Sequence, residues 1–189
     1  MITESDDHLV AAAQAGESGA FGTLVERHRR AVYGLALRML QDPPAAEDAA
    51  QEALVKAYRA LGRYEGRGRF RPWLLTLTAN LCVDQLRRRR GGEVSLEAAA
   101  EESGLEPADA GPGPEQEAER SHMAGLLERA IGKLPVAQRL VVTMVYMNGM
   151  SFEEAAEGLG IPIGTAKSHA HRGRAALRRM LSPHLAEVS

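Results

Sequence analysis

Between Ser151 and Arg179 the chain reads SFEEAAEGLGIPIGTAKSHAHRGRAALRR, and few backbones fit that text. Gly160-Ile161-Pro162 breaks a short acidic helix from a longer basic one, which is how a helix-turn-helix looks in sequence. The second helix is predicted to expose Lys167, His169, Arg172, Arg174, Arg178 and Arg179. Such a helix fits the DNA major groove. There Lys167 and Arg172 can pair with guanine, and Ser168 and His171 can add hydrogen bonds. Thr165 lies near the helix N-terminus, where free backbone N–H groups favour a phosphate. Arg174, Arg178 and Arg179 are placed to meet the DNA backbone. The competing reading is a protein-binding helical pair with a solvated basic face.

Composition supports helices elsewhere. Apolar residues make up 44 % of the 189 residues and aromatics only 4 %, with alanine abundant and β-branched residues sparse; this favours helix over sheet. The expected class is therefore all-α. No apolar run approaches the ~18 residues of a membrane span. The acidic start, MITESDDHLV, lacks a signal peptide's basic and apolar regions, so a cytoplasmic protein without membrane insertion is expected. The single cysteine, Cys82, lies in an apolar helical stretch and is expected to be a buried thiol.

A net charge of −2 argues against a nucleic-acid partner until its distribution is seen. Residues 1–90 carry +3, residues 91–120 carry −8 and residues 121–189 carry +3. The acidic segment GGEVSLEAAAEESGLEPADAGPGPEQEAER has paired glycines, Gly-Pro-Gly-Pro and no aromatic residue. It cannot bury enough apolar surface to offset its ordering entropy. It reads as a flexible linker, 91–120, between two small helical domains, 1–90 and 121–189.

In the first domain a weak helix is expected near Leu9–Ala15. The main helix spans about Ala20–Leu40, with Phe21, Leu24, Val25, His28, Val32, Leu35, Ala36 and Met39 on one stripe. Asp42 and Pro43 cap and open a helix to about Leu61. Another helix opens at Pro72 and runs to about Arg90. In the second domain, one helix carries Leu126 and Ile131. Another spans about Val136–Met147 and precedes the helix-turn-helix.

Two further surfaces invite a functional reading. Loop 62–71 alternates Arg63, Arg67, Arg69 and Arg71 with glycines and interleaves Tyr64 and Phe70. Flexible backbone, cations and stacking rings suit unpaired nucleic acid. On the next helix Trp73, Thr76, Asn80, Asp84 and Arg87 form a polar stripe, where a Trp could wedge a base step and an Asn could read an extruded base. An ordinary amphipathic helix with a buried Trp fits equally. Arg87, Arg88 and their neighbours suit either a phosphate patch or simply a helix C-terminus. Asp48, Gln51, Glu52, Val55 and Arg59 share one helix face, which taken alone reads as solvated. No catalytic constellation, metal-ligand spacing or phosphate-binding Gly-rich loop is found, so neither an enzyme nor a cofactor is expected.

Four blocks in order carry a resemblance: FGTLVERHRRAVYGLALRML, AEDAAQEALVKAYRAL, FRPWLLTLTANLCVDQLRRRR and LPVAQRLVVTMVYMNGMSFEEAAEGLGIPIGTAKSHAHRGRAALR. Together they are similar to the extracytoplasmic-function (ECF) sigma factors of the sigma-70 family, the first three to region 2 and the last to region 4. The resemblance implies that the face of Asp48, Gln51, Glu52, Val55 and Arg59 grips the β′ clamp helices of RNA polymerase core. It implies that Arg67, Arg69, Phe70, Arg71, Trp73, Thr76, Asn80, Asp84, Arg87 and Arg88 bind and open a promoter −10 element. Thr165, Lys167, Ser168, His169, His171, Arg172 and Arg174 would bind the −35 element, and the apolar surface of region 4 would sit on the β flap. The acidic linker would thread polymerase channels as a polyanion. An anti-sigma factor is an expected regulator, and the chain would be a monomer outside its complexes.

This sequence departs from the family pattern at Ala155, Gly158, Ala166 and Ala170, where bulkier aliphatics are usual, which predicts a region 4 that is loosely packed alone and needs polymerase or DNA. The alternative is a free-standing helix-turn-helix regulator, which requires a dimer and a palindromic site.

Overall fold

The structure, a computed structural model, describes residues 4–17, 19–66, 68–89 and 115–185. Eight α-helices account for most of them: α1 Asp6–Gln14, α2 Ala20–Leu40, α3 Pro43–Ala60, α4 Phe70–Arg89, α5 Glu115–Gly132, α6 Val136–Val142, α7 Phe152–Leu159 and α8 Ile163–Leu185. Their boundaries follow local chemistry. Asp42 accepts a hydrogen bond from the Ala45 amide ahead of Pro43, the expected cap. Ser151 and Glu154 close a reciprocal capping box at 3.0 and 2.8 Å. Gly160 ends α7 with φ of 65°, the left-handed geometry that makes the tight turn into α8.

Three elements differ from expectation. Helix α4 begins at Phe70 rather than Pro72, so Arg71 belongs to its first turn. The helix expected over 136–147 is α6 followed by a wide π-type turn, Thr143–Met147. Residues 115–120, read as linker, are the start of α5. Most of the acidic segment, residues 90–114, lies outside the described residues.

Helices α1–α4 form one lobe and α5–α8 the other. In the first, Leu24, Phe70 and Leu74 anchor one core with Leu9, Ala53 and Leu61. His28 lies within the same lobe, 2.7 Å from Asp6 of α1. Cys82 is fully buried, and burial pushes its thiol up to about 12. A second core is common to both lobes: Met39, Leu75, Cys82 and Leu86 meet Leu140, Met144, Ala155 and Ala170. Helix α4 is thus buried on two sides. Leu74 and Leu81 face its own lobe, while Leu75, Cys82 and Leu86 belong to the shared core.

The small residues of α7 and α8 acquire a reason here. Ala155, Ala166 and Ala170 are buried within that shared core, so the other lobe supplies the packing that larger side chains would.

Thr143 is fully buried and its Oγ1 has no hydrogen-bond partner among the described residues. Thr143→Val keeps the shape and removes a stranded hydroxyl. It is expected to raise the unfolding free energy by about 1 kcal/mol, read from urea denaturation.

Candidate nucleic-acid and polymerase surfaces

Helix α8 sorts its residues by period. Ala166, His169, Ala170, Gly173 and Leu177 recur at three- and four-residue spacing and are buried. Lys167, Ser168, His171, Arg172 and Arg174 fall between them and are exposed, with Thr165 half-buried in the first turn. His169 is therefore a correction. It is 1 % exposed, and its Nδ1 lies 3.5 Å from the Arg172 guanidinium. Its ring is aligned with the alanines of the core-facing stripe and is not available to a base edge. Arg174 lies 5.5 Å above the exposed Tyr146 ring, a cation–π contact that holds its side chain near the middle of α8.

The loop before α4 presents less than its sequence suggested. Phe70 is 2 % exposed, its ring 5.7 Å from His28, 5.9 Å from Tyr64 and 5.6 Å from Trp73. It is a core anchor rather than a stacking platform, because the helix starts early enough to turn it inward. Trp73 is half-buried, with the Tyr64 ring 4.6 Å away. Burial, then the nearby Asp7 carboxylate, pushes the Tyr64 phenol up. Arg67 lies outside the described residues.

Two other cations of this surface, Arg69 and Arg71, are engaged across the lobes. Arg69 is bound to Glu157 at 2.7 Å, a hydrogen bond that raises its pKa. Arg71 donates to the Asn148 carbonyl. Thr76 is half-buried and lies against Gly158. Asn80, Asp84, Arg87 and Arg88 are exposed, with Arg87 3.6 Å from Asp84. The polar stripe of α4 is thus exposed at its C-terminal half and half-buried at its N-terminal half.

The α3 face is the most open of the three. Asp48, Gln51, Glu52, Val55 and Arg59 are all exposed, opposite the buried Ala46, Ala49, Ala50, Ala53 and Ala57. Tyr58, which sequence reasoning missed, belongs here. It is 64 % exposed beside Val55 at 47 %, so two large side chains with apolar surface adjoin on this face. The signal was available: Val55 and Tyr58 are three residues apart, on neighbouring positions of one helix surface.

Among the described residues no group of three or more His, Cys, Asp or Glu side chains could hold a metal ion, and no helix is long and apolar enough to cross a membrane.

Comparison with known proteins matches these lobes to two family models, Sigma-70 region 2 over residues 24–91 and Sigma-70, region 4, over residues 124–177. The chain is 37 % identical over 166 residues to the ECF RNA polymerase sigma factor SigE of Mycolicibacterium smegmatis, covering 88 % of this chain and 63 % of that one. It is 33 % identical over 193 residues to the RNA polymerase sigma-H factor of Pseudomonas aeruginosa, covering the whole of both. Among solved structures it resembles CnrH in complex with the cytosolic domain of CnrY, with a TM-score of 0.69, 27 % identity and coverage of 95 % and 99 %. The sigma factor RpoE in complex with the anti-sigma factor NepR from Bartonella quintana gives a TM-score of 0.65 at 25 % identity, over 87 % and 98 %. The helical lobes, their order and the helix-turn-helix identify the chain as a member of the ECF sigma factors of the sigma-70 family.

Proposed function

We propose that this chain binds RNA polymerase core and directs it to two-part promoters, with the DNA contacts divided between α8 and α4. The observation that carries this reading is the segregation on α8. Lys167, Ser168, His171 and Arg172 share the open side of a helix whose other side is locked in the core. A side chain can read a groove only if the helix behind it is held still.

In this reading α8 reads the −35 element as duplex, with Thr165 and Arg174 on phosphates. The stripe of Trp73, Thr76, Asn80, Asp84, Arg87 and Arg88 opens the −10 element and holds an unpaired base, with Arg69 and Arg71 on its backbone. The α3 face docks on the β′ clamp helices, and the exposed Tyr146, Met147 and Ile163 supply apolar area for the β flap. Affinity for DNA is mostly borrowed: lobes at +3 each bind phosphates weakly and salt-dependently, and tethering to polymerase raises their effective concentration. The chain contributes no chemistry of its own and works in the cytoplasm, where polymerase is. An anti-sigma factor is the expected regulator, by analogy with the partners of the solved relatives.

Run-off transcription on a promoter library, with core polymerase alone and with this protein added, tests the reading. New start sites should appear only with the protein. Reversing Asp48 and Glu52 to lysine should weaken core binding by at least about tenfold while leaving the helical circular dichroism unchanged, since both are exposed. Unaltered start sites, or unaltered core binding in that variant, would contradict it.

A further inference from the structure

Helix α1 supplies no residue to the three surfaces above, yet it is fastened to one of them. Leu9 and Val10 bury its inner side in the core of the first lobe. Asp6 ties it to α2, pairing with Arg27 and lying 2.7 Å from the His28 ring. Asp7 and Gln14 are exposed and about two helical turns apart, so they share a face. Both reach the segment that leads into α4. The Gln14 side-chain amide donates to the Leu61 and Tyr64 carbonyls, each at 2.8 Å. The Asp7 carboxylate accepts from the Gly68 amide at 2.7 Å.

These bonds grip the backbone around an aromatic ring. The Tyr64 ring is 4.6 Å from the Trp73 ring and 5.9 Å from that of Phe70. Gly66 lies against it, and a Cβ there would fall 2.9 Å from the Tyr64 hydroxyl. That hydroxyl is buried without a hydrogen-bond partner among the described residues, so it does not fix the ring's place. The segment's own turns are closed by the Tyr64 amide on the Leu61 carbonyl at 3.0 Å and the Arg69 amide on the Gly66 carbonyl at 3.4 Å, the second near the limit of a hydrogen bond. Gly68 adopts φ of 69°, and glycine there leaves many other conformations within reach. The bonds from α1 decide among them.

We propose that Asp7 and Gln14 are positioning residues for the −10 element: from α1 they fix the turn that sets Tyr64 against Trp73, and so hold ready the ring that meets the opened base step. This rests on the reading of α4 as the −10 surface. Neither residue touches DNA. A wedge works only while its support is still, and every other conformation of the turn lowers the fraction competent to bind. Losing the α1 bonds therefore weakens the grip on the unpaired strand. It leaves the α3 face and α8 as they are, because the bonds end on Leu61, Tyr64 and Gly68, outside both.

Trp73 is the one tryptophan of the chain, so its fluorescence reads this turn directly. Full-length wild type, Gln14→Glu, Asp7→Ala and Asp7→Asn are compared as free proteins, then as holoenzymes with purified bacterial core polymerase. The DNA probes are the non-template −10 single strand and the −35 duplex of a promoter selected in the run-off experiment. Gln14→Glu keeps the side chain's size and turns its donor into an acceptor facing two carbonyls. It should shift Trp73 emission and weaken single-strand binding by about tenfold. Asp7→Ala loses one bond and should weaken that binding about threefold. Asp7→Asn keeps an acceptor oxygen and should stay within about twofold of wild type. Core binding and −35 duplex binding should not change in any variant.

Wild-type emission and wild-type single-strand binding in Gln14→Glu and Asp7→Ala overturn the proposal. So does a shifted emission with unchanged single-strand binding, an equal loss on single strand and −35 duplex, or an Asp7→Asn protein as weak as Asp7→Ala. Should Gln14→Glu lose its helical circular dichroism, the two Asp7 variants decide alone. A wild-type holoenzyme that ignores the single strand strikes the −10 reading and takes the positioning role with it, while Trp73 emission still decides whether α1 sets the turn.

Discussion

Arg139→Ala is expected to lower the unfolding free energy by about 3 kcal/mol. Arg139 is 4 % exposed. Its Nε and Nη2 donate to the Leu134 carbonyl at 3.3 and 3.0 Å, and its Nη1 to the Met39 carbonyl at 2.8 Å. The first two bonds hold the turn between α5 and α6; the third joins α6 to the end of α2. Hydrogen bonds from a charged donor contribute about 1.5–3 kcal/mol, and a buried carbonyl stripped of its donor costs about 1–3 more. Not all of this is lost, because water can reach carbonyls near a helix end and the surroundings relax. Arg139→Lys should recover little, since an ammonium on a flexible stem cannot serve two carbonyls in the fork geometry of a guanidinium. Urea denaturation followed by circular dichroism reads the difference, and a loss below about 1 kcal/mol would show that the cross-lobe bond carries little.

Arg139 also marks where the sequence ceased to be legible. Periodicity outlined each lobe well: Leu24, Val32, Leu35 and Met39 on α2 and the alanine stripe of α3 are buried as their spacing demands. Caps were readable because Asp42 and Pro43 act within four residues of their targets. The join between lobes was not, because it rests on residues 100 positions apart whose identities look anomalous when each lobe is considered alone. Gly158 and the buried alanines of α7 and α8 read as missing bulk, and the sequence reading gave Leu75 and Leu86 of α4 no place in a core. Each set accounts for the other.

At the candidate surfaces, errors came from trusting residue type over phase. His169 and Phe70 resemble DNA-reading and base-stacking residues in isolation. Both lie on the stripe that their helices turn inward. Tyr58 was missed for the converse reason: a tyrosine reads as core until its phase puts it outside.

Phase also sets the second large effect. Lys167→Ala and Arg172→Ala should each weaken holoenzyme binding at the −35 element by about 5- to 150-fold, the range of ~1–3 kcal/mol that a bidentate base contact supplies. Both side chains are exposed, so neither change should alter the thermal midpoint. His169→Ala should do the opposite. It empties a site that is 1 % exposed, between Ala166 and Gly173 on the packed stripe, and should cost about 2 kcal/mol of stability with base preference unchanged. Arg174→Ala should lower affinity similarly on all sequences and flatten the salt dependence by about one unit. Selection of −35 variants by reconstituted holoenzyme separates these outcomes. If His169→Ala shifted the preferred bases while Lys167→Ala and Arg172→Ala left them alone, α8 would have to meet DNA through the side it now buries, and the helix would need to rotate within its own lobe to do so.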